Sequence, residues 1–94
     1  MAQKILVADD EQSILDTVSA YLRQEGYQVV TAVNGRDALF HFRHEQPDLV
    51  VLDVMMPEMD GWSVARAIRK ESDVPLIFLT ARIDDIDQVP GLAL

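Results

Sequence analysis

The chain has 94 residues, of which 49% are hydrophobic and 26% charged, with a net charge of −8 and no cysteine. This balance is typical of one globular domain, and it excludes a disordered or fibrous protein, a disulfide framework and thiol chemistry. The negative charge disfavours direct contact with nucleic-acid phosphates or anionic lipid heads and favours cationic partners, metal ions above all. Because no signal-like stretch opens the chain and no run is long enough to span a membrane, we expect a cytoplasmic location without membrane contact.

Four short apolar segments are predicted to be β-strands. They are rich in leucine and β-branched residues and scarcely alternate with polar ones, which is typical of strands buried on both faces of a parallel sheet. In chain order they are Lys4–Asp9, Gln28–Ala32, Asp48–Asp53 and Pro75–Thr80.

Three apolar stripes with helical spacing lie between these strands. The first consists of Ile14, Leu15, Val18, Tyr21 and Leu22, the second of Ala38, Leu39 and Phe42, and the third of Val64, Ala65 and Ile68. Residues that begin or end helices agree with this assignment. Gly26 can close the first helix, Asn34 and Asp60 can cap the second and third, and Pro47 stops the second.

The resulting order, β-α-β-α-β-α-β, predicts an α/β fold with a doubly wound parallel sheet and right-handed crossovers. A fourth helix is expected to begin at Ile83. Its course is ambiguous, because Ile86 and Val89 continue the apolar spacing whereas Pro90 and Gly91 should interrupt it.

Acidic residues close two of the predicted strands. Asp9 and Asp10 follow the first strand and Asp53 ends the third. In a sheet of order 2-1-3-4, ligands bind outside the carboxyl ends of strands one and three, where the winding reverses. Like charges gathered there oppose folding unless a dication is bound, and Mg²⁺, which takes a few carboxylates and keeps other oxygen ligands, is the natural candidate.

Each of these features has an ordinary structural explanation when it is taken alone. The acids after strand one can be a turn with favourable helix N-terminal charge, Asp53 can form a turn, and Thr80 can be a plain strand residue. The methionines of the loop after Asp53 are expected to pack against other side chains. Trp62 is expected to cover part of the core, and the histidines of helix two are expected to face solvent. The methionines are Met55, Met56 and Met59, and the histidines are His41 and His44. The combined spacing carries the functional interpretation.

Taken together, the chain resembles the receiver domain of two-component response regulators, a flavodoxin-like fold also seen in the chemotaxis receiver. The markers are Asp9-Asp10, Asp53 followed by Pro57 and Asp60-Gly61, and Thr80-Ala81. The loop MMPEMDGWSVARAIR resembles the OmpR/PhoB-type transcription-factor branch. The resemblance runs from Lys4 to about Leu94, so we expect residues 1–94 to be one receiver domain.

This resemblance implies a role for each site residue. Asp53 would accept a phosphoryl group from a histidine kinase. Asp10, Asp53 and the Met55 backbone carbonyl would hold Mg²⁺, while Asp9 would contact the metal through water. Thr80 would be the hydroxyl that moves toward the phosphorylated Asp53, next to the small Ala81, and helix four would relay the switch to an output domain that regulates transcription.

The sequence departs from the family pattern at its C-terminal end. Receivers normally continue into a fifth strand ending in a lysine and a fifth helix, and neither Lys4 nor Lys70 can replace that lysine. From the sequence we therefore expect an incomplete receiver in which phosphorylation is slow or undetectable. We also expect strand four to be an exposed apolar edge through which the chain self-associates.

Other functions remain open at this point. A phosphatase of the haloacid-dehalogenase type also uses a strand-end aspartate and Mg²⁺, but it needs a second acid where Met55 stands. A flavodoxin-like nucleotide binder conflicts with the acidic residues and the lack of a glycine-rich phosphate loop. An inert receiver fragment is the last alternative. The signalling module, which is not an enzyme, is the interpretation that we favour.

Overall fold

The computed structural model describes residues 3–79. Its elements are β1 (Lys4–Ala8), α1 (Gln12–Gln24), β2 (Gln28–Ala32), α2 (Gly35–Glu45), β3 (Leu49–Asp53), α3 (Gly61–Arg69) and β4 (Leu76–Leu79). Every strand and helix predicted within this range is present, and where the structure describes them the strand ends agree with the prediction to within one residue. The predicted fourth helix from Ile83, together with Thr80 and Ala81, lies outside the described residues.

The four strands form one parallel sheet in the order β2-β1-β3-β4, which confirms the predicted topology. Pairing of β1 with β3 aligns Ala8 with Leu52, so the carboxyl ends of the two central strands finish at the same level. Since β1 is followed by β2 on one side and β3 lies on the other, the winding reverses between β1 and β3. This is the position at which an open parallel sheet leaves a crevice.

Two apolar layers hold the helices against the sheet. On one face, α2 and α3 pack over alternate strand residues in a cluster centred on Leu6, Val50 and Leu52. On the other face, α1 packs through Leu15 over Ile5 and Val7. Burial of these side chains accounts for the nearly continuous apolar strands, because both faces of the central strands are covered.

Helix ends follow the predicted signals. Asn34 Oδ1 accepts a hydrogen bond from the Asp37 amide at 2.8 Å, and Asp60 Oδ1 accepts one from the Ser63 amide at 2.8 Å. Gly26 has φ +94°, the left-handed backbone that ends α1. These contacts satisfy backbone amides that the first helical turn leaves without partners.

Two expectations about side-chain packing were wrong. Tyr21 belongs to the predicted stripe of α1 but is 63% exposed, whereas Ser19, which was not in the stripe, is buried. Met55 was expected to pack with Met56, yet it is 62% exposed while Met56 is buried. Spacing along a helix or loop does not fix these positions, because burial depends on where the neighbouring element ends.

The expectation for Trp62 is confirmed, and that for the histidines of α2 is confirmed for one of the two. Trp62 is half-buried and packs on Phe78 with ring centroids 4.2 Å apart, next to the core as expected. His44 is exposed, whereas His41 is half-buried. Within residues 3–79 no helix is long and apolar enough to cross a membrane.

Candidate metal and phosphoacceptor site

Three aspartates meet at the carboxyl ends of β1 and β3. Asp9 and Asp10 directly follow β1, and Asp53 is the last residue of β3. Each offers one carboxylate oxygen, and these three oxygens lie within 4.8 Å of one another. Asp9 is only 2% exposed, Asp53 is half-buried and Asp10 is exposed, so the cluster opens to solvent on one side.

Backbone amides hold two of these carboxylates in place. Asp9 Oδ1 accepts a hydrogen bond from the Glu11 amide at 2.9 Å, and Asp53 Oδ1 accepts one from the Met55 amide at 3.2 Å. The Asp9 amide also donates to the Ala32 carbonyl at 3.0 Å, which extends the pairing of β1 with β2 by one residue. The carboxylates are therefore fixed by the ends of rigid strands and by the first residues of the loops that follow.

The electrostatics of the cluster are unfavourable for three negative charges. The pKa of Asp53 is raised from 3.8 to about 6, chiefly by burial and in addition by the nearby Asp9 and Asp10, while the hydrogen bond from the Met55 amide partly opposes the shift. Near neutral pH the ionised Asp53 therefore lowers the free energy of unfolding of the metal-free protein. A bound cation would offset this loss of stability.

The loop after β3, residues 54–60, returns tightly to the site. The amide of Gly61, the residue that follows the loop, donates a hydrogen bond at 3.1 Å to the carbonyl of Val54, the first residue of the loop. A Cβ on Gly61 would clash with the Asp53 carbonyl oxygen and lie 3.0 Å from the Asp53 carbonyl carbon. Gly61 thus permits a close approach between α3 and β3, since only glycine lets α3 begin this close to the end of β3.

The donor set fits Mg²⁺. Three carboxylates offer hard oxygen ligands, and the open side leaves room for water or phosphate oxygens, which Mg²⁺ keeps in its coordination shell. Residues 3–79 contain no other group of three or more acidic or histidine side chains arranged in this way. Asp9, Asp10 and Asp53 are the residues that could hold the ion.

The structure brings together most of the predicted site residues. The Met55 amide donates a hydrogen bond to Asp53 Oδ1, and the Met55 side chain is exposed in the loop after β3. Thr80 lies outside the described residues, but Leu79, which precedes it, pairs in register with Asp53. The chemical roles of all these residues stay predictions.

One residue near the site was missed. Gly35, at the start of α2, lies against the loop after β3, in contact distance of Met59. The only signal in the sequence is that it follows the capping Asn34. That signal marks a helix start and says nothing about a tertiary contact.

Comparison with known proteins identifies the family. The profile of the response regulator receiver domain matches residues 5–94. The chain is 55% identical over 92 residues to the probable transcriptional regulator ycf27 of Galdieria sulphuraria, with 98% of this chain and 36% of that protein covered. It is 54% identical over 90 residues to ycf27 of Porphyra purpurea, covering 96% of this chain and 37% of that protein. The chain thus spans little more than a third of the length of these relatives.

Solved structures agree with this assignment. The chemotaxis response regulator CheY4 of Vibrio cholerae matches with TM-score 0.87 and 34% identity, over 94% of this chain and 76% of that one. The BeF3-activated receiver domain of Klebsiella pneumoniae RstA matches with TM-score 0.84 and 32% identity, over 89% of this chain and 72% of that one. With its profile match, its sheet order and its relatives in agreement, the chain belongs to the response regulator receiver domain family.

Proposed function

We propose that residues 1–94 act as a phosphoacceptor domain in which Asp53 takes a phosphoryl group from a histidine kinase. The observation that carries this proposal is the group of three carboxylate oxygens, from Asp9, Asp10 and Asp53, within 4.8 Å at the ends of β1 and β3. A carboxylate in this position is a competent nucleophile toward phosphorus. Phosphoryl transfer depends mainly on positioning and charge neutralisation, both of which a strand-end cluster supplies.

The chemistry assigns a separate task to each acid. An oxygen of Asp53 attacks the phosphorus, and the bond between phosphorus and the donor nitrogen breaks, which leaves an acyl phosphate on Asp53. Asp10, Asp53 and the Met55 carbonyl are the proposed Mg²⁺ ligands, with Asp9 acting through water. When bound, Mg²⁺ would neutralise charge on the transferring phosphoryl group. The Met55 amide, already bonded to Asp53 Oδ1, restrains the orientation of the nucleophile.

Thr80 is the proposed switch hydroxyl. Support comes from the strand register, since Leu79 pairs with Asp53 and the Val54 amide donates to the Leu79 carbonyl at 3.4 Å. Thr80, which carries the hydroxyl, is the next residue in the sequence after Leu79, the strand partner of Asp53. Phosphate oxygens on Asp53 would be acceptors for it.

The proposed biological role is control of transcription by an output domain in a longer protein. Relatives named as transcriptional regulators are 50–55% identical to this chain, which matches about a third of their length. Its net charge of −8 disfavours direct contact of this segment with DNA. The kinase and the output domain are the proposed partners.

A metal titration tests the site first. We expect Mg²⁺ to raise the unfolding temperature of the purified chain, and we expect Asp10→Ala and Asp53→Ala to abolish the increase. Asp16→Ala is the matched control, because Asp16 is an exposed acid on α1 whose carboxylate accepts a hydrogen bond from Gln12. An equal response to Mg²⁺ in all four proteins would contradict the proposed site.

Modification of Asp53 is the second test. The chain is incubated with Mg²⁺ and a small phosphodonor, followed by intact mass, and in parallel with beryllofluoride, followed by NMR. A phosphoryl mass increment, or beryllofluoride-dependent shifts around Asp53, both absent in Asp53→Ala, is the expected result. Steady turnover of a phosphate ester would instead revive the phosphatase alternative, and no response to either reagent or to metal would favour the inert fragment.

Self-association through β4 is a separate proposal. Within residues 3–79, β4 is an edge strand that pairs only with β3, and Ile77 on it is 48% exposed. Apolar edge strands are templates for pairing with another chain. Sedimentation at increasing concentration should show a dimer, and a monomer at the highest concentration would refute the proposal.

A further inference from the structure

Gly35 occupies a position in which no larger residue fits. A Cβ placed on it would clash with the backbone carbonyl oxygen of Met59, and it would lie 2.7 Å from Met59 Cβ and 2.9 Å from Val64 Cγ2. Real Cβ atoms essentially never approach other heavy atoms this closely. Because the clash with Met59 is with backbone, no side-chain rotation relieves it. Either the start of α2 or the loop after β3 has to move.

The loop that Gly35 touches is tied to the acidic cluster. The Met59 amide donates to the Pro57 carbonyl at 2.7 Å, and the Gly61 amide donates to the Val54 carbonyl at 3.1 Å. At its start, the Met55 amide donates to Asp53 Oδ1. The loop is therefore short and internally bonded, so a displacement at Met59 is transmitted toward Met55.

The loop is confined from two sides. Gly61 places the start of α3 against the Asp53 backbone, and Gly35 places the start of α2 against Met59. Asn34 holds that start of α2 through its cap to the Asp37 amide. With α3 fixed on one side and α2 on the other, residues 54–60 have little freedom to shift without changing the geometry near Asp53.

We propose that Gly35 is a positioning residue for the phosphoacceptor site, which acts by letting the start of α2 hold the loop after β3 in place. It touches none of the three acids itself. Its effect passes through Met59 and the loop to the Met55 amide, which donates a hydrogen bond to Asp53 Oδ1. This inference deepens the proposed function and rests on it for the metal-binding part.

The test compares Gly35→Ala with Gly26→Ala. Both replace a glycine by alanine next to a helix end. Gly26 has nothing within 4 Å of its added Cβ, so its substitution strains only the backbone at φ +94°, at the end of α1 where β2 begins. Both variants are expected to lose stability, but only Gly35→Ala should disturb the site.

Two readouts separate a positioning role from a merely structural one. In metal-free protein, the NMR resonance of the Met55 amide should move in Gly35→Ala and stay in place in Gly26→Ala. In a calorimetric Mg²⁺ titration, Gly35→Ala should bind about 10-fold more weakly than wild type, the scale typical of residues that support metal ligands. Gly26→Ala should bind Mg²⁺ like wild type.

The outcomes distinguish this inference from the proposed function. An unmoved Met55 resonance in Gly35→Ala overturns the inference, as does unchanged Mg²⁺ affinity. If wild type fails to bind Mg²⁺, the proposed function fails, and the Met55 resonance alone decides the positioning role. Should Gly35→Ala not fold in dilute buffer, it undergoes the same measurements in a stabilising osmolyte, next to wild type and Gly26→Ala in the same solvent.

Discussion

Replacing Asp53 with asparagine should stabilise the metal-free protein at neutral pH. Asparagine keeps the size of the side chain and an oxygen that can accept the hydrogen bond from the Met55 amide, but it removes the charge. The folded protein holds this carboxyl with a pKa raised from 3.8 to about 6, chiefly by burial. Ionised Asp53 is therefore more costly in the folded state than in the unfolded state.

The size and pH window of this effect follow from the pKa. At about 1.4 kcal/mol per pH unit, the displacement corresponds to at most about 3 kcal/mol at pH 7. Since Asp53 is only half-buried, screening by water reduces the expected gain to about 1–2 kcal/mol. Because the pKa of Asp53 is raised in the folded state, its protonated form contributes to stability below the unfolded value of 3.8, and this contribution is lost as the pH rises through about 6. The advantage of Asp53→Asn should thus fade as the pH falls toward 4.

Urea unfolding in the presence of EDTA, at several pH values between 4 and 7, measures this difference. Asp16→Asn is the control, because an exposed acid on α1 should change stability by less than about 0.5 kcal/mol. Added Mg²⁺ should reverse the order, since wild type gains binding energy and Asp53→Asn does not. A gain that does not depend on pH, or a loss of stability at pH 7 in EDTA, would refute the electrostatic explanation.

Three further substitutions probe the packing and the backbone. Ser19 is buried in α1, and its hydroxyl has no hydrogen-bond partner among the described residues. Ser19→Ala should therefore raise the free energy of unfolding by about 1 kcal/mol, measured by urea unfolding. A destabilised variant would show that the hydroxyl has a partner. Gln46 has φ 48° at the end of α2, and Gln46→Gly should raise stability by up to about 1 kcal/mol because glycine adopts this backbone without strain; a lower unfolding temperature would contradict this. Gly61→Ala should cost about 1–3 kcal/mol, measured by thermal unfolding, because its Cβ would clash with the Asp53 carbonyl; a wild-type unfolding temperature would show that α3 can move away freely.

Much of the fold could be read from local patterns. The strands are short apolar runs such as Gln28–Ala32, and helix starts are marked by capping residues such as Asn34 and Asp60, whose hydrogen bonds involve amides only three residues away. Alternation of strands and helices restricts the sheet to a parallel, right-handed winding. Asp9, Asp10 and Asp53 could be nominated because parallel strands bring their carboxyl ends to the same edge.

Tertiary structure decided what depends on contacts between distant parts of the chain. The burial of Ser19 and the exposure of Tyr21 follow from how α1 lies on the sheet, which the helical period alone does not set. The raised pKa of Asp53 requires both its burial and two neighbours 43 and 44 residues earlier in the chain, at Asp10 and Asp9. The contact of Gly35 with Met59 joins residues 24 apart, and no local preference encodes it. Residue type and spacing thus determined which acids gather, whereas the packing of helices and loops around them determined how closely and at what energetic cost.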